Sequence, residues 1–203
     1  MRTKALLLGL GMLLWLFAAG CIFSPDEEDG GGGPPPTPPL PFPDSEDQLM
    51  ANFRTIYEAM DINEYGKILD TNYRFKYQPF DVESLNLPGE FHNRDDELGI
   101  MRNIFSQSAI VNSQGERQDA ITEITVRVLD PVSIWEDSTD PDFPNSRRRL
   151  YTVNLEFKRP EDTTIIVQGS QQFYVSSRDS LHNGIPKLYW QLVGQIDLTE
   201  HTP

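Results

Sequence analysis

Length, composition and charge exclude several functions for this chain. It has 203 residues, with 17 basic and 31 acidic side chains and a net charge of −14 at pH 7. Such a surface repels phosphate backbones, so nucleic acid is excluded as a partner. The single cysteine, Cys21, excludes an internal disulfide and a metal site built from several thiolates.

The first residues have the layout of a secretory signal peptide. Basic side chains precede an apolar run over residues 5–19, which is typical of an export signal and shorter than the roughly 20 residues of a transmembrane helix. The run ends in Ala18-Ala19-Gly20-Cys21. This ending resembles the lipobox of bacterial lipoproteins, with alanine in place of the usual leucine. The resemblance implies a signal peptide over 1–20 and lipid attachment at Cys21; the alternative is an ordinary secreted protein with an unmodified cysteine.

The residues around Cys21 also predict where the protein is held. More than one acyl chain anchors a protein stably, so the membrane is a predicted partner through the lipid anchor. Ile22 stands where an aspartate would resemble the inner-membrane retention signal of Gram-negative lipoproteins. We therefore expect the protein in the cell envelope, at the outer membrane if the host is Gram-negative.

Residues 21–44 have the composition of a disordered linker. Glycines occupy 30–33 and prolines dominate 34–43. The proline stretch favours polyproline II, and a segment of that length would hold a domain roughly 30 Å away from the membrane. The alternative is a proline-rich ligand for a partner protein.

Residues 45–203 have the length of one domain, and they begin with two helical patterns. Ser45-Glu46-Asp47-Gln48 is a capping box, in which the hydroxyl and the amide satisfy donors at a helix start. Apolar side chains then recur at helical spacing as far as Met60. A second, shorter helix starts at Asp61.

The rest of the domain alternates as strands do, apart from one further helix. Residues 73–77 alternate first, and Asn93 then caps a helix with Asp95, Asp96 and Glu97 in its first turn, which the helix dipole favours. Four longer strands are predicted over 124–129, 151–158, 165–175 and 188–198. Asn183-Gly184 predicts a hairpin between the last two. Helices followed by long antiparallel strands favour an α+β fold.

This order of elements resembles the NTF2-like (SnoaL-like, cystatin-like cone) superfamily. The local segments that carry the resemblance are 57–65, 96–98 and the aromatic last strand over 190–197. It implies N-terminal helices packed on a strongly curved antiparallel sheet that forms a cone. Enzymes of the superfamily place acids and tyrosines inside the cone, whereas other members only bind or assemble. None of their catalytic patterns can be matched here residue by residue.

A cone would bring several aromatic side chains and one acid near its cavity. The candidate pocket-lining residues are Tyr57, Asp70, Tyr73, Phe75, Tyr77, Phe105, Tyr151 and Trp190. A buried Asp70 would have a raised pKa and would act as acid or base, with a tyrosine hydroxyl polarising a carbonyl. The alternative is that the tyrosines are packing residues and that Asp70 ends a helix.

The remaining motifs predict neither a metal nor a cofactor. His92, His182 and His201 lie far apart in predicted loops or the tail, and the chain has no phosphate-binding glycine loop after a strand. Arg147-Arg148-Arg149 is either an anion-recognition fork or a solvated strand entry paired to acids. The oxygen-rich segment 137–142 is either a calcium loop or a solvated turn, and it lacks the glycine and distal glutamate of an EF-hand.

Three functional hypotheses follow from the anchor, the linker and the cone. The first is a non-catalytic, membrane-anchored envelope lipoprotein that binds a small apolar ligand or a protein partner. The second is an isomerase, dehydratase or hydrolase acting on a small hydrophobic molecule, which requires a cavity of at least about 300 Å³ that Phe75, Phe105 and Trp190 do not plug. The third is a structural homodimer formed through the open sheet face.

Overall fold

The computed structural model describes residues 39–84, 87–111, 115 and 117–198. The predicted signal peptide, Cys21, most of the predicted linker and His201 lie outside the described residues. Residues 39–44, which the sequence assigns to the linker, pack on the domain. Asn52 Nδ2 donates to the Pro41 carbonyl at 2.7 Å, and the Trp190 amide donates to the Pro43 carbonyl at 2.9 Å.

The described residues form four α-helices, and three of them begin at a capping residue. They are α1 (Glu46–Ala59), α2 (Ile62–Ile68), α3 (Pro79–Ser84) and α4 (Arg94–Phe105). The Ser45 hydroxyl accepts the Gln48 amide, but the Gln48 side chain donates to Asn52 and does not return to Ser45. Asn93 and Asp96 form the complete capping box at α4. Helix α3 was not predicted from the sequence.

The strands form one large sheet and one short hairpin. They are β1 (Leu69–Lys76), β2 (Phe91–Asn93), β3 (Ile110–Val111), β4 (Arg117–Gln118), β5 (Glu123–Pro131), β6 (Glu136–Asp137), β7 (Arg147–Lys158), β8 (Thr164–His182) and β9 (Ile185–Asp197). The large sheet has the order β2-β1-β9-β8-β7-β5, with β6 paired to β7. Only β1 and β9 run parallel; the other pairs are antiparallel. Strands β3 and β4 form the separate hairpin.

The predicted hairpin between β8 and β9 is confirmed. Asn183 and Gly184 have φ values of 53° and 77°, the left-handed backbone that a two-residue type I′ turn requires. The ladder on either side extends over Gln171–His182 and Ile185–Asp197.

A bulge in β9 changes which side chains face the helices. Val175 pairs with Leu192 while Tyr174 pairs with Gly194, so Val193 is left without a partner in the ladder. An extra residue shifts the alternation by one and bends the strand. Simple alternation along the predicted strand would place Trp190, Leu192, Ile196 and Leu198 on one side. That expectation is wrong beyond Val193, because Gln195 and Asp197 become the buried side chains, Ile196 is only half-buried and Leu198 is exposed.

The core lies between the helices and the inner face of this sheet. Its fully buried members include Leu49, Ile56, Tyr65, Tyr73 and Phe173. Further ladder irregularities lie between Val126 and Val128 and between Leu69 and Arg74, and bulges of this kind increase twist and curvature. The predicted α+β class, with N-terminal helices on a curved and mainly antiparallel sheet, is confirmed.

Candidate functional site

A cavity of about 80 Å³ lies between helices α1 and α4 and the inner face of the sheet. Most of its wall is apolar, with Phe53, Tyr57, Phe75, Ile100, Met101, Ile104, Val153, Leu155, Phe157 and Val167. The polar lining residues are His92, Glu97, Gln171 and Gln195, and each is less than a tenth exposed. The volume has room for several water molecules but is well below the roughly 300 Å³ of a typical ligand pocket.

The predicted pocket residues separate into three groups. Tyr57 and Phe75 line the cavity. Tyr73 and Tyr77 are buried behind the wall, and their hydroxyls contact polar lining groups: Tyr73 Oη lies 3.4 Å from Gln195 Oε1, and Tyr77 Oη lies 2.7 Å from His92 Nδ1. The structure therefore brings these four side chains together around one space.

The remaining predicted residues lie away from the cavity lining. Phe105 packs edge-on against Tyr57, with ring centroids 5.6 Å apart, and Tyr151 packs edge-on against Phe173. Trp190 is partly buried against the core. Asp70 is half-buried at the start of β1, where its carboxylate accepts the Asn72 amide at 2.8 Å.

The strongest polar cluster of the cavity is built on the junction of β2 and α4. His92 pairs with Phe75 across β1 and β2, and the two rings stack with centroids 4.9 Å apart and an interplanar angle of 7°. The capping box at Asn93 then turns the chain into α4, and Glu97 returns to the cavity one turn later. His92 Nε2 lies 2.6 Å from Glu97 Oε2.

Glu97 is the end point of the hydrogen bonds in this cluster. Tyr65 and His92 contact it directly, and Tyr77 is connected to it through His92. The Tyr65 hydroxyl donates to Glu97 Oε1 at 2.5 Å. With the Tyr77 hydroxyl donating to His92 Nδ1, the assigned tautomer carries its proton on Nε2 and donates it to Glu97 Oε2. We call Tyr65, Tyr77, His92 and Glu97 the carboxylate network.

Burial keeps the surrounding hydroxyls protonated. Burial raises the pKa of Tyr57, Tyr65, Tyr73 and Tyr77, and the negative charge of Glu97 raises each further. A hydroxyl with a raised pKa retains its proton and donates it. The tyrosines therefore act as hydrogen-bond donors around the cavity.

The polar atoms of the carboxylate network form hydrogen bonds with one another. A general base needs a free lone pair within hydrogen-bond reach of the substrate. Both ring nitrogens of His92 are engaged, one with Tyr77 and one with Glu97, so the imidazole has no free lone pair; each Glu97 oxygen accepts one protein hydrogen bond. A substrate proton would reach His92 only after Tyr77 or Glu97 had moved away.

A second polar pair spans strands β8 and β9. Gln195 Nε2 donates to Gln171 Oε1 at 2.8 Å, and the Tyr73 hydroxyl is directed at Gln195 Oε1. Both glutamines are 6% exposed. We call Tyr73, Gln195 and Gln171 the amide chain.

Sequence reasoning missed His92, Glu97, Gln171 and Gln195 as lining residues. His92 was assigned to a loop and Glu97 only to a helix start. A histidine immediately before a helix N-cap, with a glutamate in the following turn, is a local signal for their proximity. The inward orientation of Gln195 depends on the bulge at Val193, for which the sequence carries no local signal.

The arginine cluster is paired to acids, as one of its two interpretations predicted. Arg147 contacts Glu46, Arg148 Nε lies 3.0 Å from Glu136 Oε1, and Arg149 Nη1 lies 2.7 Å from Asp47 Oδ1. The anion-recognition interpretation is wrong for these paired side chains.

The acidic loop between β6 and β7 also uses its carboxylates within the domain. The Tyr174 hydroxyl donates to Asp140 Oδ2 at 3.0 Å, and Lys76 Nζ contacts Asp142. Among the described residues, no group of three or more His, Cys, Asp or Glu side chains is placed to hold a metal ion. None of the helices within the described ranges is both long enough and apolar enough to span a membrane.

Comparisons with known proteins give similarities of fold only. No protein-family model and no curated protein matches the chain. Among solved structures, an NTF2-like protein of unknown function in nutrient uptake from Rhodospirillum rubrum is 9% identical, over 77% of this chain and 99% of its own, with a TM-score of 0.44. An NTF2-like protein of unknown function from Burkholderia pseudomallei is 12% identical, over 76% and 89%, with a TM-score of 0.41. A Novosphingobium aromaticivorans protein, provisionally named as an aromatic ring hydroxylase, is 9% identical over 76% and 87%, with a TM-score of 0.47.

The topology of the chain itself agrees with the resemblance seen in its sequence. In the described residues, helices α1 and α2, strand β1, helix α3, strand β2 and helix α4 precede the long antiparallel strands. Helices α1 and α4 enclose a cavity against the inner sheet face. The described domain has an α+β fold in which helices pack on a curved, mainly antiparallel sheet.

Proposed function

We propose that this protein is a lipid-anchored envelope protein whose cone binds a small, mostly apolar molecule without transforming it. The observation that carries the binding function is the cavity between α1, α4 and the sheet, with apolar walls and a few convergent polar groups. The closed carboxylate network supports binding without catalysis, because its acid and base atoms are engaged within the protein.

The anchor in this proposal is supported by the first residues of the sequence. A short apolar run followed by Ala18-Ala19-Gly20-Cys21 resembles a lipoprotein export signal. We expect labelled fatty acid to be incorporated into the wild-type chain in a bacterial host and lost from Cys21→Ser. If the wild type stays unlabelled and leaves the membrane fraction, the anchor is wrong.

Ligand binding is tested with molecules that match the cavity. We expect the mature full-length chain to bind neutral organic molecules of about four to six heavy atoms, observed by NMR shifts of cavity-lining groups. Val167→Phe narrows the cavity from the sheet and Ile104→Phe narrows it from α4, so both variants should weaken binding. If no such molecule binds the wild type, or if both folded variants bind equally well, the proposed function fails.

The 2.6 Å contact between His92 and Glu97 favours a second candidate, an enzyme acting on the same molecule. A histidine oriented by a carboxylate is a common general base. Under this candidate, His92→Gln would abolish turnover of a bound molecule while preserving its affinity. Unchanged turnover in a folded His92→Gln variant would reject it.

Self-association through the sheet stays a prediction. The loop between β6 and β7 places the buried Phe143 ring against Gly194 on the outer sheet face, so this part of the face is already covered by the chain itself. Light scattering at increasing concentration tests the prediction, and a monomer at all concentrations would reject a homodimer.

A further inference from the structure

The amide chain leaves one donor of the cavity lining without a protein partner. Gln171 Oε1 accepts from Gln195, whereas no hydrogen bond from Gln171 Nε2 to another described residue is formed. Gln171 is 6% exposed, and it lines the cavity. Its Nε2 is not one of the enclosed, unpaired side-chain atoms of the described residues, so it is open to the cavity and can donate to a ligand acceptor placed there.

The order of donors and acceptors along the amide chain determines which atom of Gln171 is left to face the cavity. Burial raises the pKa of Tyr73, so its hydroxyl keeps the proton and points it at Gln195 Oε1, 3.4 Å away. Gln195 therefore presents Nε2 to Gln171 Oε1, at 2.8 Å. The remaining group of Gln171 that can face the cavity is then its Nε2, a donor.

The walls near Gln171 restrict the rest of the ligand. Val153, Leu155, Phe157 and Val167 line the cavity from β7 and β8, and they offer no polar side-chain atoms. Glu97 contributes a carboxylate to the same cavity, which disfavours a negatively charged ligand. A volume of about 80 Å³ limits the ligand to a few heavy atoms.

We propose that Gln171 determines the specificity of the cavity by donating a hydrogen bond from Nε2 to the carbonyl or ether oxygen of a small neutral ligand. This inference rests on the proposed binding function and names the ligand class: an apolar body of a few carbons bearing one acceptor. The protein would discriminate against hydrocarbons of the same shape and against molecules whose only polar group is a donor.

The test uses ring compounds of nearly equal size: cyclopentanone offers an acceptor, cyclopentene offers no polar group, and pyrrole offers an N–H donor. We expect the mature full-length protein to bind cyclopentanone roughly 3- to 10-fold more tightly than cyclopentene, the range of one neutral hydrogen bond. Pyrrole should bind no better than cyclopentene. Affinities are measured by NMR titration at equal protein concentration.

Substitutions at Gln171 test whether its Nε2 donor, and not the surrounding cavity wall, causes the ligand preference. Gln171→Met removes the donor at similar size, and Gln195→Met is added to it because Gln195 Nε2 would otherwise lose its acceptor and offer a donor to the cavity. The double variant should bring the ratio between ketone and hydrocarbon to about one. Gln171→Glu keeps an acceptor for Gln195 and removes the donor, so the preference should shift to pyrrole. Gln172→Met is the matched control, because Gln172 is the next residue of β8 and points to the other face, and it should leave the ratio unchanged.

The outcomes distinguish the two proposals. If cyclopentene and cyclopentanone bind equally in wild type, and the double variant alters neither, the donor inference is overturned while the binding function stands. A preference for pyrrole in wild type would also overturn it, since the amide would then present its oxygen. If none of the compounds binds, the proposed function itself fails.

Discussion

Glu97 is the residue on which the polar side of the cavity depends. It is 6% exposed, accepts from Tyr65 and His92, and contributes to the raised pKa of the neighbouring tyrosines. Its position at the start of α4 also benefits from the helix dipole. One carboxylate thus holds His92 in one tautomer and joins α2 to α4.

Glu97→Gln should lower the free energy of unfolding by about 1–3 kcal/mol, because its amide group must face a donor from Tyr65 or His92. Urea unfolding measures the change. Asp95→Asn is the matched control, since it removes the same charge from an exposed position in the same helix turn and should cost only about 0.3–1 kcal/mol. Equal losses in the two variants would show that the network contributes nothing beyond charge.

Among the secondary-structure elements, the loop between β6 and β7 packs closely against a glycine in β9. Phe143 is buried and stacks on Tyr174, with ring centroids 4.1 Å apart. A Cβ built at Gly194 would lie 2.0 Å from Phe143 Cε1. The glycine is therefore needed for the close approach of the ring to the sheet.

Gly194→Ala should destabilise the protein by about 1–3 kcal/mol, because the Phe143 ring must leave its position. Gly99→Ala is the control, and it should raise the free energy of unfolding. No atom lies within 4 Å of the added methyl group in α4, and alanine is favoured over glycine in a helix by about 0.5–1 kcal/mol. Thermal and urea unfolding of both variants provide the measurement. A neutral Gly194→Ala would mean that the loop does not pack on β9 in solution.

A double variant identifies the cause of that loss. Phe143→Ala removes the ring that the new methyl group meets. Adding Gly194→Ala to Phe143→Ala should therefore cost much less than adding it to the wild type. Strictly additive losses would assign the effect to the strand backbone instead.

At the scale of the whole molecule, the tyrosines link stability to alkaline pH. All seven tyrosines of the chain have a raised pKa, with burial as the largest cause. In the unfolded chain they titrate near their ordinary value of 10.0. Above that pH the unfolded state loses protons that the folded state keeps.

Stability should consequently be unaffected by these groups below about pH 10 and should fall above it. Each tyrosine contributes up to about 1.4 kcal/mol per pH unit to the slope, which urea unfolding from about pH 9 to pH 11 measures. Tyr73→Phe should make the slope shallower by one proton, whereas a slope equal to that of the wild type would contradict the assignment. Tyr151, whose pKa is raised to about 12, would keep its proton in the folded state over most of this range.

Elements whose signals are local could be predicted from the amino-acid sequence. The cap residues Ser45, Asp61 and Asn93 start helices, and Asn183-Gly184 closes the last hairpin. The change of apolar period from helical to alternating set the α+β class. These signals act over a few residues, so neighbouring residues suffice to interpret them.

Which polar side chains meet in the cavity depends on contacts between distant parts of the chain. His92 reaches it through the pairing of β2 with β1, and Gln195 turns inward because a bulge at Val193 shifts the register of β9. Asp70, chosen from the sequence, lies instead half-buried at the start of β1, away from the cavity lining, where its carboxylate accepts the Asn72 amide. Strand register depends on partners far along the chain, and a shift of one residue exchanges the two faces of a strand.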